Sequence, residues 1–174
     1  MILAHDEIIS EREKGSIIIE PFIFEHVGAN SYDVTLSVHI KRVYRNSFFG
    51  IDIKKSQKVK DHIIPPKGKW IFPWQLWIGS TIEKAGSDKY VPMYAGRSTL
   101  GRMGLFTDIG AAFGDIGFKQ TWTLEFHCVL PVKIYPYYKI GQVYFVQASS
   151  NKWLYGRDHK GHYHNQDGVT EAKI

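Results

Sequence analysis

Cysteine is almost missing from this sequence, because Cys128 is the only one among its 174 residues. A single cysteine excludes an internal disulfide and any metal site that needs several thiolates. Long apolar runs are missing too, since none approaches the roughly 20 residues that a membrane-spanning helix requires. The first residues turn acidic by position 6 and lack the long apolar segment of a signal peptide. We therefore expect no membrane association and a cytoplasmic protein.

Charge of neither sign is strongly in excess. The chain has 22 Lys and Arg against 17 Asp and Glu, which gives a formal net charge of +5 at pH 7. This small positive excess favours an anionic partner and leaves nucleic acid, phosphorylated small molecules and acidic membrane surfaces open. The basic residues are scattered, and the run KKSQKVK at 54–60 is typical of a solvated loop. We therefore expect no nucleic-acid partner.

The remaining composition is that of one globular domain with a core. Residues 6–14 predict a short helix, because acidic residues come early, basic residues come late and Gly15 follows. Residues 32–41 and 122–130 alternate between apolar and polar side chains, which predicts half-buried strands. Further candidate strands, separated by turns rich in Gly and Pro, are residues 70–83, 132–135 and 140–147. These patterns predict a mainly β fold, a compact barrel or sandwich with one N-terminal helix.

The final stretch, residues 151–174, is polar, rich in glycine and histidine, and without a core-forming period. Two interpretations stay open from the residues alone: a disordered tail, or a flap that folds over a ligand or a neighbouring subunit. Its histidines His159, His162 and His164 have no acidic or cysteine partner at ligand spacing, so they do not predict a metal site.

Three positions are candidates for chemistry. Residues 97–102, RSTLGR, combine guanidinium and hydroxyl groups that suit phosphate oxygens, although a surface turn with solvated arginines is the alternative. Glu125 lies inside an apolar run, on the face that also carries Thr123. That face either meets solvent or forms a semi-dry cleft in which the carboxylate shuttles a proton. Asp115 either caps its own turn or binds a sugar hydroxyl.

Together these motifs resemble the dCTP deaminase branch of the dUTPase superfamily over nearly the whole chain. The segment GRSTLGRMGLF at 96–106 is similar to the family pattern G-R-S-S-L/V-x-R-L-G-L. The other matching segments are NSYDVTLS at 30–37, GDIGF at 114–118, TLEF at 123–126, and Tyr155 with residues 163–168 in the tail. The resemblance implies a single domain over 1–174, a distorted antiparallel β-barrel, a homotrimer, and a flap formed by 151–174.

The resemblance also implies an activity, the hydrolytic deamination of dCTP to dUTP and ammonia, with Mg²⁺ carried by the triphosphate. Zinc-dependent cytosine deaminases use a Pro-Cys-x-x-Cys motif, which a chain with one cysteine does not contain, so we expect no zinc. Glu125 resembles the family's general base, while Ser98 and Arg102 match residues that support the chemistry beside the pyrimidine. The implied nucleotide-binding residues are Arg97, Thr99, Ile109, Ala111, Asp115, Thr123, Tyr155, His162 and Gln166.

Several positions depart from the family pattern. The family's strand-one arginine is Thr35 here, the turn after Asp115 has Ile116 and Gln120 instead of Pro and Gly, and the tail lysine corresponds to His162. After Ala111, deamination-only relatives carry His-Arg, whereas bifunctional relatives carry a small residue and an aromatic, like the pair at 112–113 here.

Three functions follow from this comparison with the family pattern. The one we expect is a deaminase whose main product is dUTP. The alternatives are a bifunctional deaminase and diphosphatase that yields dUMP and pyrophosphate, and a non-catalytic nucleotide-binding trimer.

Overall fold

The computed structural model describes residues 1–107 and 110–173 of the chain. Its elements in chain order are α1 (His5–Glu13), β1 (Ile17–Glu20), a 3-10 turn (Phe24–His26), β2 (Tyr32–Tyr44), β3 (Lys58–Ile63), β4 (Lys69–Ile71), β5 (Leu76–Ser87), β6 (Tyr90–Gly96), α2 (Ser98–Arg102), β7 (Leu105–Phe106), β8 (Lys119–Cys128), β9 (Val132–Ile134) and β10 (Lys139–Gln147).

The N-terminal helix α1 forms where the sequence predicted it. Asp6 and Glu7 lie in its first turn and Arg12 in its last, which places each charge favourably in the field of the helix dipole. Gly15 follows with a φ of 74°, a left-handed backbone that favours glycine and ends the helix. Ile8 is fully buried, so the helix packs against the strands.

The strands pair antiparallel in the order β6–β10–β2–β5–β8–β7, with β1 beside β5 and β3 beside β2. A separate two-stranded sheet joins β4 to β9. The result is a nearly closed antiparallel β-barrel with one N-terminal helix, so the predicted fold class is confirmed. The predicted strand 70–83 divides into β4 and β5 around Pro73, because proline cannot donate to a strand ladder.

The sequence patterns missed β1, β3, β6 and the two-residue strand β7. In β6 the strand signal is hidden by Pro92, which is tolerated because β6 lies at the end of the strand order. Its other side pairs with the irregular segment that leads to β8. There Tyr94 N donates to Ala112 O at 2.7 Å, and Gly114 N donates to Pro92 O at 2.9 Å.

The core takes up alternate residues of the strands. On β8 the buried residues of this set are Trp122, Leu124, Phe126 and Cys128. A Cβ on Gly79 of β5 would lie 2.5 Å from Phe126 Cε2, so glycine is what lets this ring pack against the neighbouring strand. Cys128 is a core thiol, and burial raises the pKa of that thiol. The same alternation leaves Glu125 on the opposite face of β8.

Candidate active site

Glu125 stands in a row of side chains formed by the pairing of β5 with β8. Ile78 lies opposite Glu125 and Ser80 lies opposite Thr123. Paired residues of an antiparallel ladder point to the same face, so these four side chains share the face away from the core. Thr123 Oγ1 and Ser80 Oγ are both buried, and neither has a hydrogen-bond partner among the residues that the structure describes.

A cleft of about 640 Å³ covers this face. Glu125 and Thr123 line it from β8, Ala111 and Asp115 from the segment before β8, and Tyr155 and Gln166 from the tail. Six of the residues predicted from the family pattern therefore meet in one place, although they span positions 111 to 166. The alternative that the Glu125 face is simply open to solvent does not hold.

The segment before β8 passes directly over the carboxylate. A Cβ on Gly110 would lie 2.7 Å from Glu125 Oε2, so only glycine allows the backbone to come this close. The segment is held in place from the other side, since Met93 of β6 forms an isolated bridge with Phe113. Ile109, which was also predicted to contact the nucleotide, lies outside the described residues.

Asp115 belongs to a turn that is closed by a hydrogen bond to its backbone carbonyl. Phe118 N donates to Asp115 O at 3.0 Å, and Tyr155 N donates to Ile116 O at 2.7 Å. A Cβ on Gly117 would lie 2.6 Å from Tyr155 O, so glycine lets the tail pack against this turn. Burial, and after it the negative charge of Asp115, raises the pKa of the Tyr155 phenol.

The tail folds back onto the chain's own barrel beside the cleft. Gln166 Nε2 donates to Thr121 O at 3.0 Å, and Gly168 N donates to Thr121 Oγ1 at 2.9 Å. His162 is exposed and does not line the cleft; its carbonyl accepts a hydrogen bond from Lys173 Nζ at 2.9 Å. A nucleotide contact by His162 therefore stays a prediction.

The residues of the RSTLGR segment lie elsewhere on this chain. Ser98 and Thr99 of α2 are exposed, as is Arg102, and none of the three lines the cleft. Arg97 Nε lies 3.7 Å from Asp33 Oδ1. The structure of one chain thus separates the predicted phosphate-binding residues from Glu125.

The departures from the family pattern take structural roles. Thr35 N and Thr35 Oγ1 each donate to the buried carboxylate of Glu83 at 2.8 Å. Gln120 is buried, and within the described part of the chain its Oε1 has no hydrogen-bond partner. Neither Thr35 nor Gln120 lines the cleft.

Sequence reasoning missed several residues of the cleft. Leu76 and Ile78 of β5, together with Gln57 before β3 and Thr170 in the tail, all line it. Residues 70–83 were predicted as a strand, but which strand stands beside β8 was not, so nothing in the sequence linked Ile78 to Glu125.

Residues 1–107 and 110–173 also bear on metal binding and on membrane insertion. No group of three or more His, Cys, Asp and Glu side chains in this part of the chain could hold a metal ion. None of its helices is long and apolar enough to cross a membrane.

The sequence matches a family model described as dCTP deaminase-like over residues 2–148. A protein named "dCTP deaminase, dUMP-forming" from Clostridium botulinum (strain Eklund 17B / Type B) is 41% identical over 172 residues, which cover 99% of this chain and 95% of that protein. A protein of the same name from Hathewaya histolytica is 42% identical over 176 residues, covering 100% of this chain and 97% of that one.

A solved structure has a similar fold. The crystal structure of 2'-deoxycytidine 5'-triphosphate deaminase from Agrobacterium tumefaciens superposes with a TM-score of 0.66 over 84% of this chain, at 18% sequence identity. This chain covers 48% of that longer one, and the likeness concerns the fold alone. The family model and the two full-length relatives show more than the fold: this chain belongs to the dCTP deaminase-like family.

Proposed function

We propose that this chain converts dCTP to dUMP, ammonia and pyrophosphate in two hydrolytic steps. The observation that carries the proposal is the Glu125 carboxylate, set in a cleft between the Gly110 backbone and Thr123. From the sequence alone we expected dUTP as the main product. The names of both full-length relatives specify dUMP formation instead, so the proposal takes the bifunctional alternative.

The first step is deamination at C4 of the cytosine ring. Glu125 accepts a proton from a water molecule, whose oxygen bonds to C4 and gives a tetrahedral intermediate. The C4–N bond then breaks as Glu125 passes the proton to the leaving amino group, ammonia departs, and the proton of the new C4 hydroxyl moves to N3, which gives the uracil ring. This consumes one water and leaves dUTP in the cleft. The Thr123 hydroxyl, which has no partner among the described residues, and the backbone of Ala111 supply contacts to the pyrimidine.

The second step is hydrolysis at the α-phosphorus. Asp115 orients a second water and accepts its proton, and the water oxygen bonds to that phosphorus while the bond to the bridging oxygen breaks and pyrophosphate leaves. Phe113 is 61% exposed and lines the cleft, where a neutral side chain leaves the phosphate chain free of a competing cation. Positioning of the water in line with the leaving group supplies most of the acceleration in such reactions.

We propose that Mg²⁺ arrives with the triphosphate and offsets its negative charge. Among the described residues only Asp115 and Glu125 bring carboxylates into the cleft, which is fewer than a protein-built cage for a hard cation uses. The phosphate oxygens therefore supply most of the ligands.

We further propose a homotrimer in which a neighbouring copy brings Arg97, Ser98, Thr99 and Arg102 to the cleft. None of these residues lines the cleft of its own chain. An apolar surface beside α2 supports the proposal, since Met103, Phe106, Val129 and Leu130 are between 42% and 63% exposed. Contiguous apolar side chains of this kind mark an interaction surface more often than a solvated one.

The tail, residues 151–174, is proposed as a lid over the nucleotide. Tyr155 and Gln166 are the tail residues assigned to nucleotide contact. Both line the cleft. The backbone N of Tyr155 donates to Ile116 O in the turn before β8, and the Gln166 side chain donates to Thr121 O on β8.

The proposal is tested by incubating the protein with dCTP and Mg²⁺ and quantifying dCTP, dUTP, dUMP and pyrophosphate by chromatography. We expect dUMP and pyrophosphate in equal amounts, with no accumulation of dUTP. Accumulating dUTP without pyrophosphate would overturn the second step. An absence of conversion would favour the non-catalytic nucleotide-binding alternative.

A further inference from the structure

The end of the tail crosses the barrel strands next to Glu125. Asp167 Oδ1 lies 3.5 Å from Lys84 Nζ on β5, and Gly168 N donates to Thr121 Oγ1 on β8. Further along, Glu171 forms an ion pair with Lys41 on β2, and Ala172 N donates to the Gln57 side chain at 3.0 Å. The last described residues of the tail therefore reach from β8 across β5 to β2.

Lys41 stands in the same row as the proposed general base. Lys41 lies opposite Ile78, and Ile78 lies opposite Glu125. Neighbouring strands are about 4.8 Å apart, so Lys41 and Glu125 are separated by about 10 Å across the sheet. Thr170 and Ala172, on either side of Glu171, both line the cleft. The ion pair thus holds the tail over β5, the strand that lies between β2 and β8.

The Lys41 end of this pair is more enclosed than in an ordinary surface pair, while the Glu171 side chain is 42% exposed. The Lys41 side chain is 19% exposed, the lowest value for any cation in the ion pairs of the described residues. The hydrogen bond from Lys41 lowers the pKa of Glu171. Asp61, 3.9 Å from Lys41 but 84% exposed, is the weaker partner because water screens its charge.

We propose that the Lys41–Glu171 ion pair is a latch that closes the end of the tail over the cleft and keeps bulk water away from Glu125. The inference rests on the proposed function, in which the nucleotide must stay bound while one water reacts in each of the two steps. Lys41 and Glu171 are positioning residues in this scheme, since they act on the lid and touch no reacting atom. The latch sets how long the lid remains shut.

Glu171→Gln is the sharpest variant, because it removes the charge, preserves the shape and leaves Lys41 with Asp61 as a remaining partner. Hydrogen–deuterium exchange of the C-terminal peptide in the nucleotide-free protein measures lid opening without reference to any reaction. We expect exchange in this peptide to become about fivefold faster, the factor typical of losing one partly buried ion pair. Lys41→Met should have the same effect.

The matched control is the other ion pair between tail and barrel, Lys84 with Asp167. Their side chains are 47% and 74% exposed, so Asp167→Asn should change the exchange rate by less than about twofold. The double variant Lys41→Glu with Glu171→Lys restores an ion pair of reversed sign, and should return exchange toward the parent rate.

Steady-state kinetics with dCTP supply the second readout. For Glu171→Gln we expect KM to rise about fivefold while kcat changes by less than about twofold, because the latch affects closure and not bond breaking. Exchange equal to the parent rate, or an equal effect of Asp167→Asn, would overturn the latch. Faster exchange in a protein that does not convert dCTP would support the latch and overturn the proposed function.

Discussion

At the scale of the residue, one carboxylate stands on the face of a strand that points away from the core, where most strands carry solvent-exposed side chains. Glu125 alternates with core residues along β8, yet the Gly110 backbone and the tail enclose it in a cleft. Enclosure costs a charged group part of its hydration. Groups that carry such a cost are found where they have a function, and proton transfer is the role proposed for Glu125.

Glu125→Gln should lower dCTP deamination by a factor of about 10² to 10⁴, because an amide cannot accept the proton from water. Binding of dCTP, measured by calorimetry, should change little because the amide keeps the shape of the carboxylate. His127→Gln is the matched control, since His127 lies on the same face of β8 but is exposed and outside the cleft. Turnover by Glu125→Gln close to the parent rate would assign the base to another group.

A second carboxylate makes a prediction about stability. Glu11 accepts hydrogen bonds from Lys89 Nζ at 2.7 Å and Lys14 Nζ at 3.0 Å. These bonds, that from Lys89 first, lower the pKa of Glu11 from 4.5 to about 2. A depressed pKa in the folded state adds stability above the unfolded value, and this contribution is lost as pH falls from about 4.5 to about 2.

Glu11→Gln should therefore lower the free energy of unfolding by about 1–2 kcal/mol at pH 7, measured by urea denaturation followed by tryptophan fluorescence. The difference from the parent should shrink as the pH is lowered through that window. Asp88→Asn, which removes a more exposed pair with Lys119, serves as control and should cost less. A difference that is constant with pH would show that packing, and not charge, explains the effect.

At the scale of the element, the tail is attached to the barrel mainly by polar contacts. Its hydrogen bonds and ion pairs join side chains and backbone at the surface of the strands. The residues of the main hydrophobic cluster all lie between positions 3 and 145. The tail therefore completes the cleft without contributing to the core.

Truncation after Ser150 should leave a folded protein that has lost most of its activity on dCTP. Because the core is untouched, thermal unfolding should stay cooperative, with a midpoint within about 5 °C of the parent. Circular dichroism measures the folding and the product assay measures the activity. A truncated chain that fails to fold would give the tail a structural role and contradict the proposed lid.

At the scale of the whole molecule, the cleft of one chain lacks the arginines and hydroxyls that the family pattern places beside the nucleotide. These groups lie on and next to α2, near an exposed apolar surface. In the proposed homotrimer, the α2 of one copy would meet the cleft of the next. A closed ring would repeat this contact at every interface.

Light scattering should give about three times the chain mass of 20.0 kDa. Mixing tests the shared site directly, since Glu125→Gln and Arg102→Ala would inactivate different halves of it. After the two inactive proteins are unfolded and refolded together in equal amounts, about a quarter of the parent activity should return. A monomeric mass, or no recovery on mixing, would contradict the shared site.

The local sequence pattern predicted several elements of the fold and the strand face on which Glu125 lies. The charges and Gly15 placed α1, and the alternation of β8 placed Glu125 on the face away from the core. The helix and the face of β8 depend on residues within a few positions of one another, so one chain read by itself reports them. Asp115, Thr123, Tyr155 and Gln166 were implied as residues of one site only by the resemblance to the dCTP deaminase family, and these four do meet.

The sequence by itself thus determined which residue types stand on which face of the strands with a clear alternation, such as β2 and β8. Only the tertiary structure decided which strands and segments face one another: Ile78 beside Glu125, Gly110 over its carboxylate, and Glu171 on Lys41, 130 positions apart. The physical reason is that strand pairing is set by the packing of the entire barrel and by the closure of long loops. No local period carries that information, because alternation fixes the direction of a side chain and leaves its neighbour open.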